Sequence, residues 1–492
     1  MVKTSTNLAR NVLRAIQANP PPGLEVNGIT SHNFGAYQRA FTPMVMQGAG
    51  HRNYASDHKE TEYAFQMAAS NIRYGPGVTA EVGYDFKNMR IDRVAVFTDK
   101  NLLNTPAVKT ALQSLDKCGI KYDLYSDVCV EPKEPSVLDA IAWGRAKQPK
   151  AYLAIGGGSV MDTAKMANLY QCFPDAELLD FVNAPIGKAQ PIDIDLKPLI
   201  AVPTTAGTGS ETTGTAIFDL VSRKAKTGIA NRALKPLLGI VDPLNSATMP
   251  EQVKAASGLD VLCHSLESYT AIPYQQRTPR PSNPNMRPAY QGSNPIADIF
   301  SLEGLRLAIE YLPRSCADPE DMEAHSNMLL GSTLAGVGFG NAGVHICHGL
   351  SYPISGMNTS YYHPDYHTDH PLVPHGISVA VTAPSVFKFT APSDPERHLK
   401  AASLFGVDVS NVKRESAGEV LAEAIQEFMF TKLKHQPRGV SALGYKRSDI
   451  SALVDGAVPQ RRVLDLAPGI HGVEEAEVRE ALTSILEDAW EY

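Results

Sequence analysis

The sequence has no C-x-x-C pair, no apolar run of the roughly 20 residues that a membrane helix needs, and no surplus of basic charge. Its six cysteines, Cys118, Cys129, Cys172, Cys263, Cys316 and Cys347, are scattered. That spacing excludes a zinc ribbon or a disulfide scaffold and fits a reducing compartment. A formal net charge of −7 offers no partner surface to nucleic acid or an anionic membrane. An anionic small molecule would need a local cationic pocket. Acidic residues are missing from the first 24 positions, where Lys3, Arg10 and Arg14 stand. Wound as a helix, that stretch puts Leu8, Val12, Leu13 and Ile16 on one face. Such a start has the character of a mitochondrial (matrix) transit segment, or else of a frayed terminus. Apolar residues make up 43% of the chain and charged residues 20%, an ordinary globular balance. The length predicts two large domains.

From about residue 92 the pattern alternates. RVAVFTD (93–99), KYDLYSDV (121–128), AYLAIGGG (151–158) and PLIAVP (198–203) read as strands, with helical stretches at 104–119, 134–148 and 159–170 between them. This predicts an α/β domain with a parallel sheet. After about Pro250 only helical periodicity is seen, which predicts an all-α second domain. The division expected is an extension over 1–45, an α/β dinucleotide-binding domain over 46–247 and a helical metal-binding domain over 248–492. A Pro-rich insert (273–295) is too long for an ordinary connection, and reads as a functional loop or a disordered segment.

Two glycine-rich loops follow strands. Gly156, Gly157, Gly158 and Ser159 open a helix, so backbone N–H groups and the helix N-terminus can meet a pyrophosphate. Taken alone, this motif could equally be a tight turn; the strand-then-helix context favours a nucleotide. The second loop offers the hydroxyls of Thr204, Thr205, Thr208 and Ser210 to ribose or phosphate. Asp99, ending the first strand, can accept hydrogen bonds from an adenosine ribose diol, which favours NAD. Gly338–Gly343 spells G-x-G-x-x-G, but a helical pattern precedes it, so it reads as close helix packing.

Six of the 14 histidines fall between positions 345 and 375. Asp260 and His264, four apart, share one face of a helix; alone they could be a satisfied helix pair. His348 in an apolar run and His375 after Pro374 are the better further ligands. His363, His367 and His370 read as solvated loop residues. One carboxylate and three imidazoles suit iron(II) or zinc. Glu267 and His345 are expected to support the ligands from behind. Arg277, Arg280 and Arg287 of the insert are candidates to grip a substrate carboxylate.

GGGSVMDTAK (156–165), PTTAGTGSE (203–211), GLDVLCHSLESY (258–269), CHGLSYPISG (347–356) and PHGISVAV (374–381), in this order, resemble the iron-containing (group III) alcohol dehydrogenase family over roughly residues 50–490. The resemblance implies a dehydroquinate synthase-like fold, a metal held by Asp260, His264, His348 and His375, and NAD(H) contacts at Asp99, Gly157, Gly158, Ser159, Thr204, Thr205 and Lys226. It implies a homo-oligomer, a dimer. Many family alcohol dehydrogenases carry a histidine where this chain has Tyr352, which removes a proton-relay candidate from simple primary-alcohol chemistry. GNAGVHICHGLSYPISG (340–356) and DHPLVPHGISVAVTAPSVF (369–387) are similar to one branch. That branch implies oxidation of a hydroxy acid such as 4-hydroxybutyrate, coupled to reduction of 2-oxoglutarate to 2-hydroxyglutarate through a retained nicotinamide. An ordinary NAD-dependent alcohol dehydrogenase and a metal- and nucleotide-binding protein without turnover are the alternatives.

Overall fold

The computed structural model describes residues 61–492 apart from 224, 367 and 369. The transit-like segment, the whole of the 1–45 extension and His367 therefore lie outside the described residues. Six strands form one parallel sheet: β1 (Asn71–Tyr74), β2 (Arg93–Phe97), β3 (Lys121–Tyr125), β4 (Ala151–Gly156), β5 (Leu199–Pro203) and β8 (Leu238–Val241), in the order β1-β8-β5-β4-β2-β3. Alternation along each strand feeds two cores. Val94, Val96, Leu153, Ile155 and Val202 pack with Phe86, Val108 and Leu115, from α1 (Val82–Asn88) and α2 (Pro106–Cys118). Ala95, Phe97, Tyr152 and Ala154 pack on the other face with Ala140, Met161 and Ala164, from α3 (Glu134–Lys147) and α4 (Gly158–Cys172). A sheet buried on both faces reads as apolar runs, which is why its central strands are legible. α2 stops where expected, at Gly119 with φ 72°, a left-handed position that glycine takes without strain.

Strand order reverses between β2 and β4: β3 lies outward of β2 on one side and β4 on the other. Ligands of open α/β sheets bind beyond the carboxyl ends of strands at such a switch point. Thr98–Asp99 and Gly156–Gly158 emerge there. An antiparallel hairpin, β6 (Thr215–Leu220) with β7 (Ala225–Ala230), stands outside the main sheet and was not anticipated.

The remainder is helical, as predicted. α5 (Glu251–Thr270), α6 (Pro295–Ala317) and α7 (Met322–Ala342) pack side by side, and α8 (Ile346–Gly356) and α9 (His375–Ala380) close on α5. A shared core of Leu259, Leu262, Leu266, Leu305, Leu329, Leu350 and Ile377 holds them together. The insert is a packed loop with two short 3-10 turns; Ala289–Asn294 is buried. The second glycine loop rests directly on α7. A Cβ on Gly209 would stand 2.6 Å from the Gly336 Cα, and one on Gly336 would stand 2.3 Å from Thr212 Oγ1.

Candidate active site

α5 is buried almost throughout, yet it carries Asp260, His264 and Glu267 at spacings of four and three residues. That is one face of a helix, and burying such a stripe is costly unless each group has a partner. The partners come from α8 and α9. Nε2 of His264, His348 and His375 lies 3.6, 3.5 and 3.8 Å from one oxygen, Asp260 Oδ1. Asp260 Oδ1 and His348 Nε2 are buried without a hydrogen-bond partner. Ligands placed tetrahedrally at about 2.0–2.2 Å from an ion are roughly 3.3–3.6 Å apart, so this donor set fits a divalent metal. The tightest group is Asp260, His264 and His348; the His375 side chain is 30% exposed and faces the cleft.

Two of the three rings, His264 and His348, are held from behind. His264 lies flat against Phe339, with ring centroids 3.8 Å apart and 4° between planes. Phe339 belongs to the G-x-G-x-x-G segment, which sits inside α7 as expected. His348 Nδ1 hydrogen-bonds Glu267 Oε2. Glu267 Oε1 accepts the backbone N–H groups of His345 (3.0 Å), Cys347 (2.8 Å) and His348 (3.3 Å). These are orphan donors at the α8 N-terminus, so one fully buried carboxylate caps the helix and aims its histidine. Burial would raise the Glu267 carboxyl, but the His348 and His345 imidazoles and the N–H donors overcome that and hold it at about 2. Burial pushes His264 down to about 3 and His345 to about 4. His345 accepts Ile346 N–H at 2.9 Å and meets Thr270 Oγ1 at 3.0 Å, which makes it a helix cap.

The four side chains open into a cleft whose other wall includes Gly158, Ser159, Thr208 and Ser210. The two glycine loops interlock: a Cβ on Gly157 would meet the Thr205 side chain at 3.2 Å, and one on Gly158 would meet Thr208 Cγ2 at 2.7 Å. The glycines are thus required by loop packing as well as by any phosphate. Ser159 Oγ accepts Glu131 N–H at 3.0 Å, and Ser210 Oγ bridges Asp162 (2.8 Å) and Lys165 (2.6 Å). Thr204 N–H donates to Gly156 O at 3.0 Å, tying the loops together. Asp99 Oδ1 accepts the N–H groups of Asn101 (2.7 Å) and Leu102 (3.3 Å), shaping its own turn. Lys226, on the unanticipated hairpin, also lines the cleft. Burial would lower it, but Glu131 (2.6 Å) and Asp219 (3.5 Å) more than compensate and hold it protonated.

Three expectations change. His363 is buried, 3% exposed, with Nδ1 2.8 Å from the Tyr361 hydroxyl, and burial lowers it to about 4; it is no solvated loop residue. Arg287 is spent on Glu62 through two 3.0 Å hydrogen bonds, and Arg280 lies over the Tyr63 ring. Arg277 lines a cavity that borders the cleft and shares Tyr290 and Arg462 with it. A second cation that reaches the cleft, besides Lys226, is Arg462, which donates to Tyr352 Oη at 3.0 Å; Tyr290 of the insert lies beside them. Arg462 stands in no motif, so sequence reasoning had no signal for it, whereas Tyr290 lies in the Pro-rich insert already singled out.

A switch-point nucleotide cradle facing a buried carboxylate–imidazole cluster defines a two-domain, metal-dependent dehydrogenase architecture. The "Iron-containing alcohol dehydrogenase" family model matches residues 69–243, and the "Fe-containing alcohol dehydrogenase family, C-terminal" model matches residues 289–485. The chain belongs to the iron-containing alcohol dehydrogenase family, and membership implies a metal ion and a nicotinamide-type cofactor. It is 56% identical over 417 residues to "Hydroxyacid-oxoacid transhydrogenase, mitochondrial" of Rattus norvegicus, covering 85% of this chain and 89% of that one. It is 55% identical over 410 residues to the Homo sapiens protein of the same name, covering 83% and 87%. Among solved structures, a 1,3-propanediol oxidoreductase superposes with a TM-score of 0.73 at 24% identity, over 87% of this chain and all of that one. The NADH-dependent butanol dehydrogenase A of Thermotoga maritima gives 0.68 at 23%, over 88% and 100%. These two establish the fold.

Proposed function

We propose that this chain is a mitochondrial hydroxyacid–oxoacid transhydrogenase. It oxidises 4-hydroxybutyrate or a close analogue to the aldehyde and reduces 2-oxoglutarate to 2-hydroxyglutarate. Two hydrogens leave one acid, as a hydride and a proton, and both are delivered to the other, so no external oxidant is consumed. The observation that carries the reading is the convergence of three imidazoles and one carboxylate oxygen in the cleft that the glycine loops complete. The identity to named transhydrogenases supplies the substrate class.

Asp260, His264, His348 and His375 would hold the metal, iron(II) in this reading, with zinc accepted by the same donors. Such an ion supplies Lewis acidity toward a hydroxyl or carbonyl oxygen, and NAD(H) supplies the two-electron carrier. Gly157, Gly158, Ser159, Thr204, Thr205, Thr208 and Ser210 would cradle the pyrophosphate and nicotinamide ribose, Asp99 the adenosine ribose, and Lys226 the nicotinamide side. Phe339 keeps His264 from swinging, and Glu267 keeps the His348 proton on Nδ1, so that Nε2 presents its lone pair. Phe339, Val344 and Ile217 give the cleft an apolar lining that excludes water around the reacting carbon. The Tyr352 hydroxyl lines the same cleft and can hand on a proton there. A homodimer in the matrix belongs to this reading on the family resemblance.

The test is turnover of 4-hydroxybutyrate plus 2-oxoglutarate by purified enzyme with no NAD added. Equimolar 2-hydroxyglutarate and aldehyde, with ping-pong kinetics, are expected. Turnover only with added NAD and no oxo acid would identify an ordinary alcohol dehydrogenase. No turnover with metal bound would leave a binding protein.

A further inference from the structure

Both acids of the proposed reaction carry a carboxylate, and a carboxylate taken out of water needs a cation and hydrogen-bond donors. Of the cations lining the cleft, Lys226 is already neutralised by Glu131 and Asp219. Arg462 differs. Among the described residues no carboxylate forms an ion pair with it, and its neighbours are two phenols, Tyr352 and Tyr290. Nη2 donates to Tyr352 Oη at 3.0 Å, and the guanidinium carbon lies 4.9 Å from the centre of the Tyr290 ring. Nη1 is buried and has no acceptor. A buried guanidinium that is braced on one side, stacked on an aromatic face and left with an unused donor is built for a planar anion.

Its position follows from the helix that braces it. Tyr352 comes four residues after His348 on α8, so the two side chains share one face, about 6 Å apart along the axis. Arg462 is thereby held in the same cleft as the imidazole that faces Asp260, on the side of α8 that Tyr352 occupies. In 4-hydroxybutyrate two methylenes separate the hydroxyl-bearing carbon from the carboxylate. In 2-oxoglutarate two methylenes separate the keto carbon from the distal carboxylate. The two acids therefore present the same distance between reacting carbon and anion.

We propose that Arg462 is the shared carboxylate-binding residue for both acids, with Tyr352 orienting Nη2 and leaving Nη1 for the substrate. This rests on the transhydrogenase reading and deepens it by naming what selects the chain length. A single anchor serves both half-reactions, because the second acid occupies the place the first has left. Acids with one methylene fewer or more would put the reacting carbon out of register with the metal-ligand cluster.

The experiment starts with the wild-type holoenzyme, whose turnover of 4-hydroxybutyrate with 2-oxoglutarate tests the functional reading by itself. Arg462→Gln, Arg462→Lys and Tyr352→Phe are then compared by steady-state kinetics and by calorimetric binding of 2-oxoglutarate. Melting temperature and metal content serve as fold controls. In Arg462→Gln, KM for both acids and Kd for 2-oxoglutarate are expected to rise about 100-fold, as for loss of a charge-assisted pair. Arg462→Lys should restore part of this, and Tyr352→Phe should weaken both acids by roughly 3- to 10-fold. The preference for 4-hydroxybutyrate over the neutral 1,4-butanediol should collapse in Arg462→Gln. The proposal is overturned if a folded, metal-loaded Arg462→Gln binds both acids within about threefold of wild type, or if only one acid is affected. It is also overturned if the diol suffers as much as the acids, which would mark a merely structural role.

Discussion

Glu267 gives the sharpest test of how the proposed metal-ligand cluster is built. Its carboxylate does two separable things. Oε1 takes three backbone N–H groups at the start of α8, and Oε2 takes the Nδ1 proton of His348. Glu267→Gln keeps the shape and can keep the first function, because the amide oxygen can still receive the three N–H groups. The amide nitrogen then faces His348 Nδ1 and can only donate to it. Nδ1 must become an acceptor, the ring proton moves to Nε2, and the lone pair directed toward Asp260 is lost. Loss of such a supporting hydrogen bond typically weakens metal binding about 10- to 100-fold. That corresponds to about 1.4–2.7 kcal/mol. Glu267→Ala removes both functions and orphans three buried N–H groups, each at about 1–3 kcal/mol, so that variant should lose the fold of α8 as well. The assay is metal retention by atomic spectroscopy after dialysis against graded chelator, with iron(II) and zinc in parallel, and the melting temperature of the metal-free proteins. Glu267→Gln should melt near the wild type when both lack metal, and should lose metal at far lower chelator. Equal retention would refute the reasoning, since it would mean that the His348 tautomer does not depend on Glu267.

Gly158→Ala places a methyl 2.7 Å from Thr208 Cγ2, and should weaken NADH binding by about tenfold or more in a fluorescence titration, the loops being pushed apart. Adding Thr208→Ser removes the clashing methyl and should recover most of that loss; no recovery would mean that the glycine serves the ligand alone. Lys235 is lowered to about 8, chiefly by burial and then by Arg232, and donates to the Ala68 carbonyl. Its folded pKa lies below its unfolded value, so between about pH 8 and 10.5 the unfolded chain binds the extra proton and stability contributed by this residue rises with pH. Denaturant unfolding at pH 7.5 and 10 should show wild type gaining about 2–3 kcal/mol relative to Lys235→Met, because each tenfold loss of proton affinity on folding is worth about 1.4 kcal/mol. A pH-independent difference would contradict the assignment.

What could be read in the sequence follows physical locality. The central strands are buried on both faces, so β2, β4 and β5 stand out as apolar runs. Asp260 and His264 announce themselves through helical spacing, and the G-x-G-x-x-G segment was rightly read as helix, because what precedes it sets its geometry. β1 and β8 are four residues each, too short to carry a period, and β6–β7 pairs outside the sheet. Arg287 misled because a guanidinium does not reveal its counter-ion: it finds Glu62, 225 residues away. Arg462 was invisible for the same reason in reverse, since what distinguishes it is an acceptor it lacks. His363 sits in a polar string, yet tertiary contact buries it.

Where Gly209 and Gly336 meet, main chain touches main chain, with only the Thr212 hydroxyl wedged beside them. A seam of that kind has no slack to distribute: sliding or tilting α7 against the phosphate loop would drive backbone into backbone within a fraction of an ångström. The second glycine loop and α7 are therefore riveted together beside the cleft, which Thr208 and Ser210 on either side of Gly209 line. Any opening of the cleft is therefore expected to come from side chains and loops at its rim, with the second glycine loop and α7 moving as one body.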